Sequence, residues 1–253
     1  MSLIPISIQL YTLRDEAAKD FPGVLQTLSE TGYVGVEFAG LHGHSAKDLA
    51  ALLAELNLKG SSAHVGLPTK ENIAELVDTY GTLGITRLVS GFGPDDFKTL
   101  DAVKKSADRF QAAAAVSAEN GCTFSFHNHE FEFNRLDDGQ LVYDVILKSA
   151  PDAFSELDVY WAAVGGSDPA EVVAKNANRL QLLHIKDGPA EHGKKMTAVG
   201  SGKLDIPAII AAADPDVTKW LIVELDACDT DMVQAVKDSY SYLVGKGLAA
   251  GVK

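Results

Sequence analysis

The feature that most constrains this chain is an alternation, repeated eight times, of a short β-branched or aliphatic run with a longer segment of helical period. That alternation marks stacked βα units around a parallel sheet. Strands are expected at 6–10, 34–38, 59–64, 86–90, 123–127, 155–158, 180–185 and 220–224. Helices are expected at 23–30, 46–56, 70–82, 96–119, 140–148, 169–175, 206–213 and 231–244. Ser45 fits a helix N-cap and Asn120-Gly121 fits a C-terminal stop. Eight units in 253 residues predict one closed (β/α)8 barrel over residues 1–253, and no Gly-x-Gly-x-x-Gly follows the first strand to favour an open doubly wound sheet.

In such a barrel the strand C-termini face a common bowl, so what ends each strand carries the functional signal. Here the ends are polar. Strand 2 places Glu37, strand 3 His64, strand 6 Asp158, strand 7 His184 and Lys186, and strand 8 Glu224 and Asp226. Asp158, His184 and Glu224 end three successive strands and form an O, N, O donor set. That set suits Mn2+, Co2+, Zn2+ or Mg2+, and a shared cation resolves the burial of several charges at one point.

Strand 5 runs into His127-Asn128-His129-Glu130-Phe131-Glu132-Phe133, the densest polar cluster of the chain. One of its residues would complete the metal shell and another would serve as acid or base. The sequence leaves His127, Glu130 and Glu132 open as the fourth ligand. Lys186, two residues past His184, is expected on the same face, holding a substrate oxygen or an enolate charge, with a rim ion pair to Asp187 as the bland alternative.

Gln9, Glu37, His64, His129, Glu132 and Trp161 are expected to contact substrate, Trp161 by stacking on a sugar face. Asp226 is read as a helix N-cap, and Arg14, beyond Tyr11, as a brace or an anion clamp. The glycine pairs in Gly91-Phe92-Gly93 and Gly200-Ser201-Gly202 serve turns or close approach to a ligand, without a phosphate-loop pattern.

Charge narrows the partners. A net charge of -13 repels nucleic-acid phosphates and anionic lipid, which points to a small-molecule substrate and leaves a homo-oligomer open. Cys122 and Cys228, both in apolar surroundings, are read as free thiols of a reducing compartment. The start MSLIPISIQLY has neither a basic segment nor a long apolar one, so a cytoplasmic protein is expected.

From SIQLYTLRD through GVEFAG, FHNHEFEF, LDVYWAAVGG, LLHIKDG and VGSGKLD to WLIVELD, the chain resembles the sugar phosphate isomerase/epimerase superfamily of xylose isomerase-like TIM barrels. The resemblance implies metal ligands at Asp158, His184 and Glu224. Where epimerases carry a strand-5 glutamate, His127 stands, as in the subgroup reading His-Asn-His-x-Phe-Glu-Phe. It further implies a divalent-metal-dependent isomerase or epimerase of a keto-sugar or related polyhydroxy carbonyl compound, working through an enediolate. Glu224, His127 and Lys186 would be its catalytic residues. The alternatives are a metal-dependent lyase or dehydratase of a keto-sugar, keto-inositol or 3-keto-glycoside, and a non-catalytic sugar-binding barrel.

Overall fold

A computed structural model describes residues 3–252. Eight parallel strands close into a barrel in sequence order: β1 Ile6–Gln9, β2 Gly35–Phe38, β3 Lys59–His64, β4 Arg87–Ser90, β5 Thr123–His127, β6 Phe154–Asp158, β7 Leu180–Ile185 and β8 Trp220–Val223. The (β/α)8 architecture is the expected one, and every strand boundary falls within one residue of its expected position. No helix among the described residues is long and apolar enough to cross a membrane.

Alternation along the strands separates two apolar layers. Ile6, Ile8, Val36, Phe38, Ala63, Leu88, Phe124, Phe126, Leu157, Leu183, Ile185, Leu221 and Val223 pack outward under the helices. The opposite parity faces the barrel axis, where Val89, Leu182, Trp220 and Ile222 form a separate apolar plug. Further along the same inward rows stand polar residues, so the plug closes one end of the barrel and the polar residues floor the other.

The helices follow their sequence signals. In α2 (Ala46–Glu55) the Ser45 hydroxyl accepts the Asp48 N–H, a cap worth about 1 kcal/mol. Helix α4 (Leu100–Glu119) ends at Asn120, and Gly121 turns the chain with φ 74°. Helix α3 is Ile73–Thr82, α5 is Val142–Ser149, α7 is Pro169–Asn176, α8 is Ile206–Ala211 and α9 is Met232–Gly245.

Two helical features were not expected. Helix α1 spans Arg14–Thr31, beginning well before residue 23, with a kink at Asp20. Asp20 accepts the Gly23 N–H there, so Pro22 stands in the opening turn of a second segment rather than before a lone helix. Helix α6 (Val159–Val164) follows β6 directly, because Asp158 caps the Tyr160 and Trp161 amides.

Candidate active site

Two of the cavities open at the ends of the barrel. The larger, about 600 Å³, opens at the strand N-termini around Lys59, Gly60, Arg87 and Trp220, and its lining holds no histidine or carboxylate. The second, about 480 Å³, lies at the strand C-termini and is lined by Gln9, Tyr11, Ala39, His64, Gly91, Phe92, His127, His129, Trp161, Lys186, Glu224 and Asp226. Only the second joins acid–base groups to aromatic walls.

Below this cavity the inward residues form a layered polar network. Glu37 is fully buried and accepts from the Gln9 amide (2.7 Å) and the Ser62 hydroxyl; its Oε1 also lies 2.7 Å from His184 Nε2. Burial opposes its ionisation, but His64 and His184 outweigh burial and hold Glu37 well below the usual carboxylate range. Glu156 Oε2 stands 2.6 Å from His64 Nε2, 3.1 Å from His127 Nδ1 and 3.2 Å from His184 Nε2. Irregular register beside Val36/Glu37 and Ser155/Glu156 locally adjusts the sheet next to both acids.

A second group surrounds Lys186. Its Nζ is 2.6 Å from Glu224 Oε2, 2.7 Å from Asp226 Oδ2 and 2.9 Å from Asp158 Oδ2. Burial would lower the Lys186 pKa, yet the three carboxylates raise it well above the ordinary lysine value, so the ammonium stays charged. Glu224, buried but facing Lys186 and His184, is held well below its usual range. His127, by contrast, is driven down by burial and by the neighbouring His184 and His64, which keeps its imidazole neutral.

The buried donors form two overlapping sets, His64/His127/Glu156/His184 and His127/Asp158/His184/Glu224, each with ligand atoms within 4.8 Å of one another. The chemistry fits a divalent cation: the donors are imidazole nitrogens and carboxylate oxygens, and Glu156 Oε1 is buried without a hydrogen-bond partner among the described residues. Asp158, His184, Glu224 and His127 thus meet as the sequence suggested.

Other sequence candidates land elsewhere. Glu132 is 1% exposed and outside the cavity lining; its Oε2 accepts the His129 N–H at 2.9 Å, which removes it as a sugar contact. Glu130 faces His192 at 3.5 Å, away from the donor sets. Glu37 lies beneath His64 and His184 rather than on the cavity wall. Gln9, His64, His129 and Trp161 do line the cavity.

Asp226 is not an N-cap. That role belongs to Asp231, and Asp226 instead pairs with Lys186. Nor does Lys186 pair with Asp187, whose carboxylate accepts the amides of Gly188, Gly200, Gly202 and Leu204. An internal anion therefore already occupies the amides of the glycine turn, and a Cβ at Gly202 would lie 2.0 Å from Asp187 Oδ1. Arg14 is a brace: it donates to the Tyr11 and Asp226 carbonyls and covers the Tyr11 ring at 4.3 Å.

Sequence reasoning missed Glu156, although it shares the inward parity of Asp158 two residues on. It also missed the use of Asn128, whose side chain bonds the Asp158 backbone at both N–H (3.0 Å) and carbonyl (3.3 Å) and ties the end of β5 to β6.

Comparison with known proteins gives a consistent picture. A family model for the xylose isomerase-like TIM barrel matches residues 25–243. A sugar phosphate isomerase/epimerase from Parabacteroides distasonis superposes with TM-score 0.83 at 27% identity, over 99% of this chain and 96% of that one. An L-ribulose 3-epimerase gives TM-score 0.70 at 18% identity, with 97% and 95% covered. The IOLI protein, solved with a zinc atom, gives 0.73 at 15% identity, with 96% and 99% covered; these last two likenesses concern the fold. The search of curated proteins finds no match.

Proposed function

Because this chain belongs to the xylose isomerase-like TIM barrel family, we propose that it is a divalent-metal-dependent isomerase or epimerase of a keto-sugar or related polyhydroxy carbonyl compound. The observation that carries the reading is the buried edge between His127 and His184, common to both donor sets, beside a carboxylate and an ammonium on the cavity wall. His127 and His184 would hold the cation, with carboxylates completing the set. When bound, a divalent cation polarises a carbonyl and acidifies the neighbouring C–H bond.

On this reading Glu224 takes the proton from the α-carbon, and the electron pair of the broken C–H bond passes into the carbonyl to give an enediolate. Glu224 is ionised at working pH, as a base must be. Lys186 donates toward the developing oxyanion. As its ammonium turns from Glu224 toward that oxygen, the carboxylate regains proton affinity, which couples the two events. Return of the proton to the former carbonyl carbon, with the α-hydroxyl proton passing to the enolate oxygen, isomerises the substrate; delivery of a proton from water to the opposite face of the α-carbon epimerises it.

The substrate is expected to be uncharged. The glycine-turn amides are engaged by Asp187, and Lys186 is shared among three carboxylates, so among the described residues neither group is a free donor for a phosphate ester. Trp161 and Tyr11 offer ring surface to a sugar.

The test is α-proton exchange in D2O, followed by NMR, on a panel of free ketoses with the protein loaded with Mn2+, Co2+, Zn2+ or Mg2+. Exchange abolished by chelator supports the reading. An unsaturated ketone would move the assignment to a lyase, and sugar binding without exchange would make the barrel a binding protein.

A further inference from the structure

We infer that the cavity at the strand N-termini, at the opposite end of the barrel from the donor sets, binds a small organic phosphate ester. Arg87, Lys59 and Lys219 hold the phosphate, and an apolar wall takes the organic body. The inference does not rest on the isomerase reading.

Charge singles this cavity out. The chain carries 35 acids against 22 lysines and arginines, yet the lining of this space of about 600 Å³ holds three cations and no acid. Positive side chains gathered in one concavity raise the local concentration of an anion against the overall field of the protein.

Arg87 is the centre of the group. It opens β4 on the same row as Val89, because alternate residues of a strand share a face, so its side chain starts at the barrel axis below the apolar plug. Its guanidinium is half-buried. Nη1 makes one long hydrogen bond, 3.3 Å to the Ser61 carbonyl, and Nε is buried with no partner among the described residues. Burial pushes the Arg87 pKa below the ordinary arginine value, and no acid offsets the shift. An anion would offset that desolvation, and the planar fork of a guanidinium suits phosphate oxygens.

The two lysines complete the charge. The exposed side chain of Lys59, at the start of β3, has no hydrogen bond or ion pair among the described residues. Lys219, next to β8, donates to the Asp216 carbonyl and pairs with no carboxylate among these residues. Three positive charges without an acid match a dianion better than a single carboxylate.

The floor is apolar and fixed. Trp220 is 7% exposed, and a Cβ at Gly35 would lie 2.8 Å from its ring, so β2 seats the indole. Leu53, Leu58 and Leu83 form the wall beside it. Val89, Leu182 and Ile222 of the plug stand above, so occupancy here is expected to leave α-proton exchange at the other end unchanged.

Phenyl phosphate titrated into the full-length protein tests this, followed by NMR of the indole N–H groups of the two tryptophans, with Trp161→Phe assigning them. The Trp220 signal is expected to move saturably, and the affinity to fall as ionic strength rises from about 0.01 M to about 0.15 M. Arg87→Gln and the double variant Lys59→Gln/Lys219→Gln are each expected to weaken binding about tenfold, the scale of one hydrogen bond to a charged group. Both lysines are exposed, so their variant keeps the test open if Arg87→Gln fails to fold. Phenol and benzoate should bind at least about tenfold more weakly than phenyl phosphate. Movement of the Trp161 signal alone, unchanged affinity in the double lysine variant, or benzoate binding as tightly as phenyl phosphate would overturn the inference. So would a Trp220 signal that stays still at about 10 mM phenyl phosphate.

Discussion

Lys186 Nζ and Glu224 Oε2 lie 2.6 Å apart on the wall of the cavity at the strand C-termini, so the site carries a fixed positive charge of its own. Removing that charge strands three carboxylates. Lys186→Met is expected to destabilise the metal-free protein by about 3–5 kcal/mol, the range for breaking a buried ion pair. Urea unfolding of the chelated variant measures it, and a loss below about 1 kcal/mol would show that Asp158, Glu224 and Asp226 do not depend on the ammonium.

Asp187 holds the turn at Gly200-Ser201-Gly202 by accepting four backbone amides. Asp187→Ala leaves those donors without their acceptor and is expected to cost about 1–3 kcal/mol. Faster proteolysis near residues 197–204 should accompany it. Inorganic phosphate should not slow α-proton exchange in the wild type, since the same amides are engaged; competitive inhibition by phosphate would contradict this use of Asp187.

Burial, only partly offset by backbone hydrogen bonds, pushes the Glu132 carboxyl well above 4.5. A folded-state pKa above the unfolded value means stability that is full at low pH and lost as pH rises toward the folded pKa. Glu132→Gln copies the neutral acid and keeps an oxygen for the His129 N–H. Its melting temperature relative to wild type should therefore climb as pH increases above about 4.5, the unfolded reference. A difference that stays flat with pH would mean Glu132 is ionised in the fold.

Trp161 lines the cavity from α6 with Lys186 Nζ 5.6 Å from its ring centre. If it stacks on substrate in ground and transition states alike, Trp161→Ala raises KM about tenfold with kcat nearly unchanged, the effect of about 1.4 kcal/mol of lost stacking. Steady-state kinetics decide it; a fall in kcat alone would place the ring elsewhere in the reaction.

The barrel was legible in the sequence because each strand separates its layers by parity: Ile6 and Ile8 turn outward, Gln9 inward. The same parity led to Asp158, His184, Lys186 and Glu224. Glu156 escaped because Asp158, the last acid of SELD, is the one that ends the strand, while the inward row carries two. Asp226 was misread because four residues separate it from the cap at Asp231, a loop length that sequence spacing did not reveal. The kinked start of α1 was hidden by Pro22, which reads as a boundary but serves as an opening residue once Asp20 caps Gly23. Glu132 looked like a site residue because it lies in the same polar cluster as His127. The turn at Glu130–Phe133 carries it under His129 instead.

The most direct test is solvent-deuterium incorporation at the α-carbon of free ketoses, measured with and without a chelator on the same preparation. Metal-dependent incorporation, lost in Glu224→Gln, is the predicted result. Incorporation that persists after complete removal of metal, or none at all with any metal and sugar, would contradict it.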